Sequence, residues 1–187
     1  MNKKIYLLPL LLLVALFTTS CEETKEAGKY DNWQARSEAF IDSIAGVYAA
    51  QTDATPEKDR LYAFVDQYNQ SQTIYVKKFP LAEGTVLGET PLYTAKISVY
   101  YRMSFFNGDV IQETFSGADP EPFGSTAIFK VNNVIAGWTW TLQYMRVGER
   151  WMIYIPWQSA YGAAGEKGIP GYSALVYDVK LNDIVSQ

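Results

Sequence analysis

The chain has 187 residues, 48% of them apolar and 15% aromatic, with 16 basic against 20 acidic side chains. This composition supports a well-buried core rather than a disordered chain, and the net charge of -4 disfavours nucleic acid or anionic lipid as a partner. There is no histidine and only one cysteine, so the usual general base and the commonest metal ligand are missing; serine-triad hydrolysis and zinc chemistry are disfavoured, and no metal or cofactor is expected.

At the N-terminus, Lys3 and Lys4 precede an apolar run from Ile5 to Phe17. The run is too short to span a bilayer, and residues 1–20 have the pattern of a targeting segment. It ends at Thr18-Thr19-Ser20-Cys21, which resembles a bacterial lipoprotein processing site; an ordinary secretory signal with an incidental cysteine is the alternative. Lipidation of Cys21 would leave the mature chain without a thiol. Removing residues 1–20 takes two basic residues and no acidic ones, moving the net charge from -4 to -6. Glu22 to Asp31 is charged and aperiodic, the composition of a tether over residues 21–31. Glu22 and Glu23 resemble the acidic start of surface-directed Bacteroidetes lipoproteins, and a solvated linker explains them equally well.

From Trp33 onward, Phe40, Ile41, Ile44, Val47 and Tyr48 continue a helical stripe, and Thr52 to Thr55 break it. Pro56 suits a first helical position after a Thr55 cap, and Leu61, Phe64, Val65 and Tyr68 repeat at helical spacing, so residues 32–72 are predicted to hold two short helices. These pack on the rest of the fold or offer a surface for a partner, including a homodimer. After Gln72 the period becomes two. Ile74 and Val76 alternate with Tyr75 and Lys77, and Ala95, Ile97, Val99, Tyr101 and Met103 share one face. Trp151, Ile153 and Ile155 form a further strand, as do Leu175, Tyr177, Val179 and Leu181. Between them, Ala136 to Met145 places Trp138, Leu142 and Met145 on one side of a helix. The prediction is an α+β fold dominated by an antiparallel sheet.

The blocks Val134-Ile135-Ala136-Gly137-Trp138, Met145-Arg146-Val147-Gly148 and Ala160-Tyr161-Gly162 stand in an order and spacing that resembles the FKBP-type peptidyl-prolyl cis-trans isomerases. Val99-Tyr100-Tyr101, Asn107-Gly108, Gly168-Ile169-Pro170 and Leu175 to Leu181 extend the resemblance over residues 73–185. It implies a curved antiparallel sheet wrapped around a short helix over residues 73–187. It also implies a pocket with Tyr101 in the wall, Val134 and Ile135 at the side and Trp138 as the floor under the proline ring. Tyr161 would donate its hydroxyl to a substrate carbonyl, and the Ile135 N–H would be a second donor. Ile169 would lie in a flap over the pocket, and Tyr177 takes a position usually held by phenylalanine.

Isomerisation of an X-Pro bond faces a barrier of about 18–20 kcal/mol from amide resonance. The twisted transition state has lost that resonance, so a dry apolar pocket favours it over the planar amide without nucleophile, proton relay or metal. Two positions depart from the family pattern: Ile111 and Gln112 stand where a phenylalanine and an aspartate are usual. Gln112 can still hydrogen-bond but carries no charge. The loop Ser116 to Ser125 does not align cleanly, so a further pocket aromatic is either Phe123 or absent, with Ala127 in its place. Three functions follow: an envelope-anchored isomerase acting on proline-containing segments of exported proteins, a catalytically weak module that binds such segments, or a structural lipoprotein.

Overall fold

A computed structural model describes residues 28–121 and 124–187. The targeting segment, Cys21 and most of the tether lie outside the described residues, as does Phe123. Residues 28–31 form a turn in which the Asp31 carboxylate accepts the Gly28 N–H at 2.7 Å. Asn32–Gln187 is the remaining unit.

This unit is built on seven antiparallel strands: β1 (Leu61–Val65), β2 (Thr73–Lys78), β3 (Lys96–Phe105), β4 (Val110–Glu113), β5 (Ala127–Lys130), β6 (Arg150–Ile155) and β7 (Leu175–Ser186). Their order is β1-β2-β6-β7-β3-β4, with β5 also on β3. The ten-residue β3 therefore shares one edge between two short strands, β5 over Lys96–Val99 and β4 over Arg102–Ser104. Where they meet, Thr114 closes the ladder: its Oγ1 accepts the Tyr101 N–H at 2.9 Å and its own N–H reaches the Tyr101 carbonyl at 2.9 Å.

Cross-strand register explains the alternating patterns. Ile153 pairs with Tyr177 and Tyr177 with Met103, while Trp151 pairs with Val179 and Val179 with Tyr101. Directly opposed residues share a face, so all of these point inward and all are buried. The helix α2 (Ala136–Leu142) packs on this inner face. A side chain at Gly137 would come within 2.5 Å of Ile155, so only glycine permits that approach. Trp138, Leu142 and Met145 are buried as expected, although the helix ends at Leu142 and Met145 follows in a turn, its N–H on the Leu142 carbonyl.

The expected pair of N-terminal helices is half right. The helix α1 (Trp33–Ala49) forms and lies against the outer face, with Phe40 on Tyr154 and Tyr48 on Tyr75. Pro56 to Tyr68 is not a helix. Glu57–Asp59 is a single 3-10 turn, and Leu61–Val65 is the edge strand β1, paired to β2 from Leu61 opposite Lys77 to Val65 opposite Thr73. Leu61, Phe64 and Val65 fit a helical stripe, but Tyr62 and Phe64 fit a strand equally well, and periodicity over so few residues cannot separate the two. Long-range partners decide it. The Gln51 side chain bonds both the N–H and the carbonyl of Leu61, and the Asp66 carboxylate caps the β1–β2 turn by accepting the Tyr68 and Asn69 N–H groups. The break placed at residue 72 is therefore no structural boundary. Of the two helices expected there, α1 is the one present among the described residues.

Candidate active site

A cavity of about 510 Å³ opens on the inner face, a size ordinary for a small-ligand site. Its floor is the Trp138 indole, which α2 delivers 3% exposed. Three rings meet it edge to face: Tyr101 from β3 at 5.6 Å and 90°, Phe129 from β5 at 5.3 Å and 85°, and Tyr177 from β7 at 5.0 Å and 66°. Each such contact contributes about 0.5–1.5 kcal/mol beyond area burial, so the indole is fixed before any ligand arrives. Its Nε1 is buried and has no hydrogen-bond partner among the described residues.

Val134 and Ile135 form the side of the cavity. Ile135 is the N-cap of α2, and its carbonyl accepts the N–H groups of Trp138 and Thr139. Its own N–H precedes the helix and enters no intrahelical bond. Tyr161 closes another side from the loop between β6 and β7, and Gln112 stands exposed on the rim. Among the described residues, no charged side chain lines the cavity. Burial, then the neighbouring Tyr161 and Tyr101, pushes the Tyr177 hydroxyl well above the ordinary tyrosine value. Burial and Tyr161 also raise Tyr101. The Tyr177 hydroxyl donates to the Met103 sulfur.

Seven of the nine expected residues thus surround one cavity: Tyr101, Gln112, Val134, Ile135, Trp138, Tyr161 and Tyr177. Two lie elsewhere. Ile111 falls at a bulge where the β3–β4 register shifts between Met103 and Ser104, which leaves it unpaired and packed half-buried against the core. Ile169, expected in a flap, is buried in the core and does not line the cavity. It pairs with Glu166 across the turn of its own loop.

Phe129 was not anticipated, nor were Ile128 and Asn133 at the rim. Ala127, left open against Phe123, does line the cavity. The missed signal was period two in Ala127–Lys130. Phe129 opposes Ile97 and Ala127 opposes Val99, so both point to the face already assigned to the core.

The arrangement can hold a compact apolar ring over an indole, offer neutral donors to a carbonyl and exclude water. Among the described residues it has no acidic or basic side chain placed for proton transfer. Comparison with known proteins agrees. Residues 88–182 match the family model for FKBP-type peptidyl-prolyl cis-trans isomerases. Over 158 residues the chain is 39% identical to the macrophage infectivity potentiator of Trypanosoma cruzi, covering 78% of each protein. It is 35% identical to the FKBP-type 22 kDa peptidyl-prolyl cis-trans isomerase of Escherichia coli, covering 52% of this chain but 45% of that protein. Among solved structures, a peptidyl-prolyl isomerase of Pseudomonas syringae superposes with a TM-score of 0.59 at 25% identity, over 82% of this chain and 96% of that one. FkpA of Escherichia coli, at 24% identity and a TM-score of 0.60, shares the fold over 83% of this chain and 62% of its own. With an uncharged aromatic cavity on that fold and a family match over half its length, this chain belongs to the FKBP-type peptidyl-prolyl cis-trans isomerases and is an isomerase of that type.

Proposed function

We propose that the chain is an envelope-anchored isomerase that accelerates X-Pro isomerisation in exported proteins, with Trp138 as the platform for the proline ring. The observation that carries this reading is the indole fixed by three rings at the bottom of an uncharged cavity. The proline ring lies on Trp138 with Tyr101, Phe129 and Tyr177 around it, which removes water from the amide. The Tyr161 hydroxyl and the Ile135 N–H hold the flanking carbonyls. As the amide twists it loses resonance and dipole, and the apolar surroundings favour this state over the planar one. Each ~1.4 kcal/mol of that difference is tenfold in rate. A protease-coupled or NMR exchange assay with X-Pro peptides tests it. Acceleration that falls in Trp138→Leu supports the reading, and no acceleration with any residue before proline refutes it.

The second reading is a weak or inactive binder of proline segments. It draws on the exposed, uncharged Gln112 and on Ile111 lying away from the cavity. Tight peptide binding without acceleration distinguishes it.

Anchoring rests on sequence: Lys3 and Lys4, the apolar run and Cys21. Among the described residues no helix is long and apolar enough to cross a membrane. Two acyl chains on Cys21 would give stable attachment, at about 0.8 kcal/mol per buried methylene. Cys21→Ser should abolish fatty-acid labelling and release the protein from membranes; labelling that persists contradicts the anchor. The membrane would be the outer one, with the globular part on its periplasmic or surface side.

A further inference from the structure

Tyr161 sits on the loop of residues 157–172 between β6 and β7, and this loop is closed upon itself. A Cβ on Gly171 would lie 1.9 Å from the Ala163 carbonyl oxygen, and one on Gly165 would lie 2.3 Å from that of Ile169. Besides the packing of Ile169, Ala160 and Tyr161 on the core, it is held by hydrogen bonds from residues 33–66, outside the stretch matched by the family model. At its start, the fully buried Ser159 Oγ donates to Asp66 Oδ2 at 2.6 Å. The other Asp66 oxygen holds the β1–β2 turn through Tyr68 and Asn69 N–H, at 2.8 and 3.2 Å. Trp157 Nε1 donates to Glu38 on α1 at 3.2 Å. Just beyond the end of the loop, Ser37 Oγ accepts the Ala174 N–H at 2.7 Å. Trp33 Nε1 donates to Ser173 Oγ at 2.9 Å, and that hydroxyl donates to the Pro170 carbonyl at 2.6 Å.

We propose that Asp66 and Ser159 are positioning residues for Tyr161, with Trp33 and Ser37 fixing the far end of the same loop, so that the N-terminal segment sets the substrate-binding geometry. This rests on Tyr161 being a donor to substrate. Ser159 is two residues from Tyr161, and Ala160 between them has φ -110° and ψ -118°, neither helical nor extended. The Gly162 N–H returns to the Trp157 carbonyl at 2.9 Å, closing a turn around the tyrosine. A shift at Ser159 is therefore passed to the Tyr161 ring rather than absorbed by a flexible link. Asp66 is 1% exposed and its carboxylate is held by the serine and two backbone donors, which fixes its position.

The test uses the full chain and X-Pro peptide kinetics in four variants: Ser159→Ala, Asp66→Asn, Tyr161→Phe, and Ser159→Ala with Tyr161→Phe. Leu181→Val, in the buried part of β7 distant from the loop, is a destabilised control. Ser159→Ala should lower kcat/KM roughly five- to tenfold, the worth of one hydrogen bond, mainly through KM. Asp66→Asn should lower kcat/KM less than Ser159→Ala, because an amide can still accept the two backbone N–H groups and donate to Ser159 Oγ. Ser159→Ala should add nothing in the Tyr161→Phe background. The proposal is overturned if the two losses multiply, or if Ser159→Ala lowers the melting temperature like Leu181→Val with kcat/KM intact. A Tyr161→Phe variant as active as wild type would instead remove the pocket reading itself. Should Ser159→Ala fail to fold, Ser37→Ala is tested against Tyr161→Phe in the same way.

Discussion

The two faces of the central sheet are made by neighbouring residues of the same strands, yet they solve opposite problems. Inward, Tyr101, Trp151 and Tyr177 build an aromatic, uncharged layer under the cavity. One residue along each strand, Arg102, Arg150 and Asp178 pair outward. Arg150 grips Asp178 with two bonds of 2.7 and 2.6 Å, reaches Asp119 and the Ala118 carbonyl, and lies 4.4 Å over Phe79. Arg102 holds Glu113 at 2.7 Å and the carbonyls of Phe115 and Gly117. The outer face satisfies each guanidinium and ties the loop after β4 to the sheet. The inner face leaves the Trp138 Nε1 without a partner among the described residues. Charge on the outer face is spent within the molecule, whereas the inner face is neutral and aromatic where it lines the cavity.

On the outer face this contrast is broken by Asp178→Ala. It removes two charge-assisted bonds from the half-buried Arg150, which keeps Asp119 and the Ala118 carbonyl as partners, and should cost about 2–3 kcal/mol of stability in denaturant melts. The kcat/KM of the folded fraction should stay close to wild type. Trp138→Leu should show the opposite balance, costing about 2–4 kcal/mol through lost ring contacts and cavity. It should also lower kcat/KM and the affinity for a proline-mimicking macrolide by more than tenfold, read by fluorescence and peptide kinetics. Tyr161→Phe removes the hydroxyl of a half-buried side chain and should leave stability within about 1 kcal/mol, with kcat/KM down roughly tenfold for one lost hydrogen bond. Gln112→Asp, on the rim, should change the rate by less than about threefold if the carboxylate is dispensable. A large gain would instead explain weak activity by the missing charge.

Strand patterning made most of this legible. Tyr101, Trp151, Ile153, Tyr177 and Val179 alternate cleanly because one face is buried and a shift by one residue would expose them all. Val134 to Trp138 and Tyr161 were assigned to the site through the resemblance to the family, and they line one cavity in the structure. Leu61–Val65 was not legible, since what makes it a strand is pairing to β2 and the bonds from Gln51, both outside its own five residues. Ile111 misled because a bulge turns it out of register. Phe129 was hidden because the aromatic was sought in the poorly aligned loop before it rather than on the four-residue strand after it.

The central claim is that catalysis here needs no titrating group, and the most direct measurement is the catalysed rate against pH with an end-blocked X-Pro peptide free of ionisable side chains. The raised tyrosines hold their protons more tightly folded than unfolded, so their contribution to stability is full below about pH 10 and is lost only as pH rises above it. With no charged side chain among the described residues lining the cavity, kcat/KM relative to the uncatalysed rate should be flat from about pH 5.5 to 8.5. A bell-shaped or sigmoidal profile across that window, at unchanged circular dichroism, would contradict catalysis by desolvation and neutral hydrogen bonds.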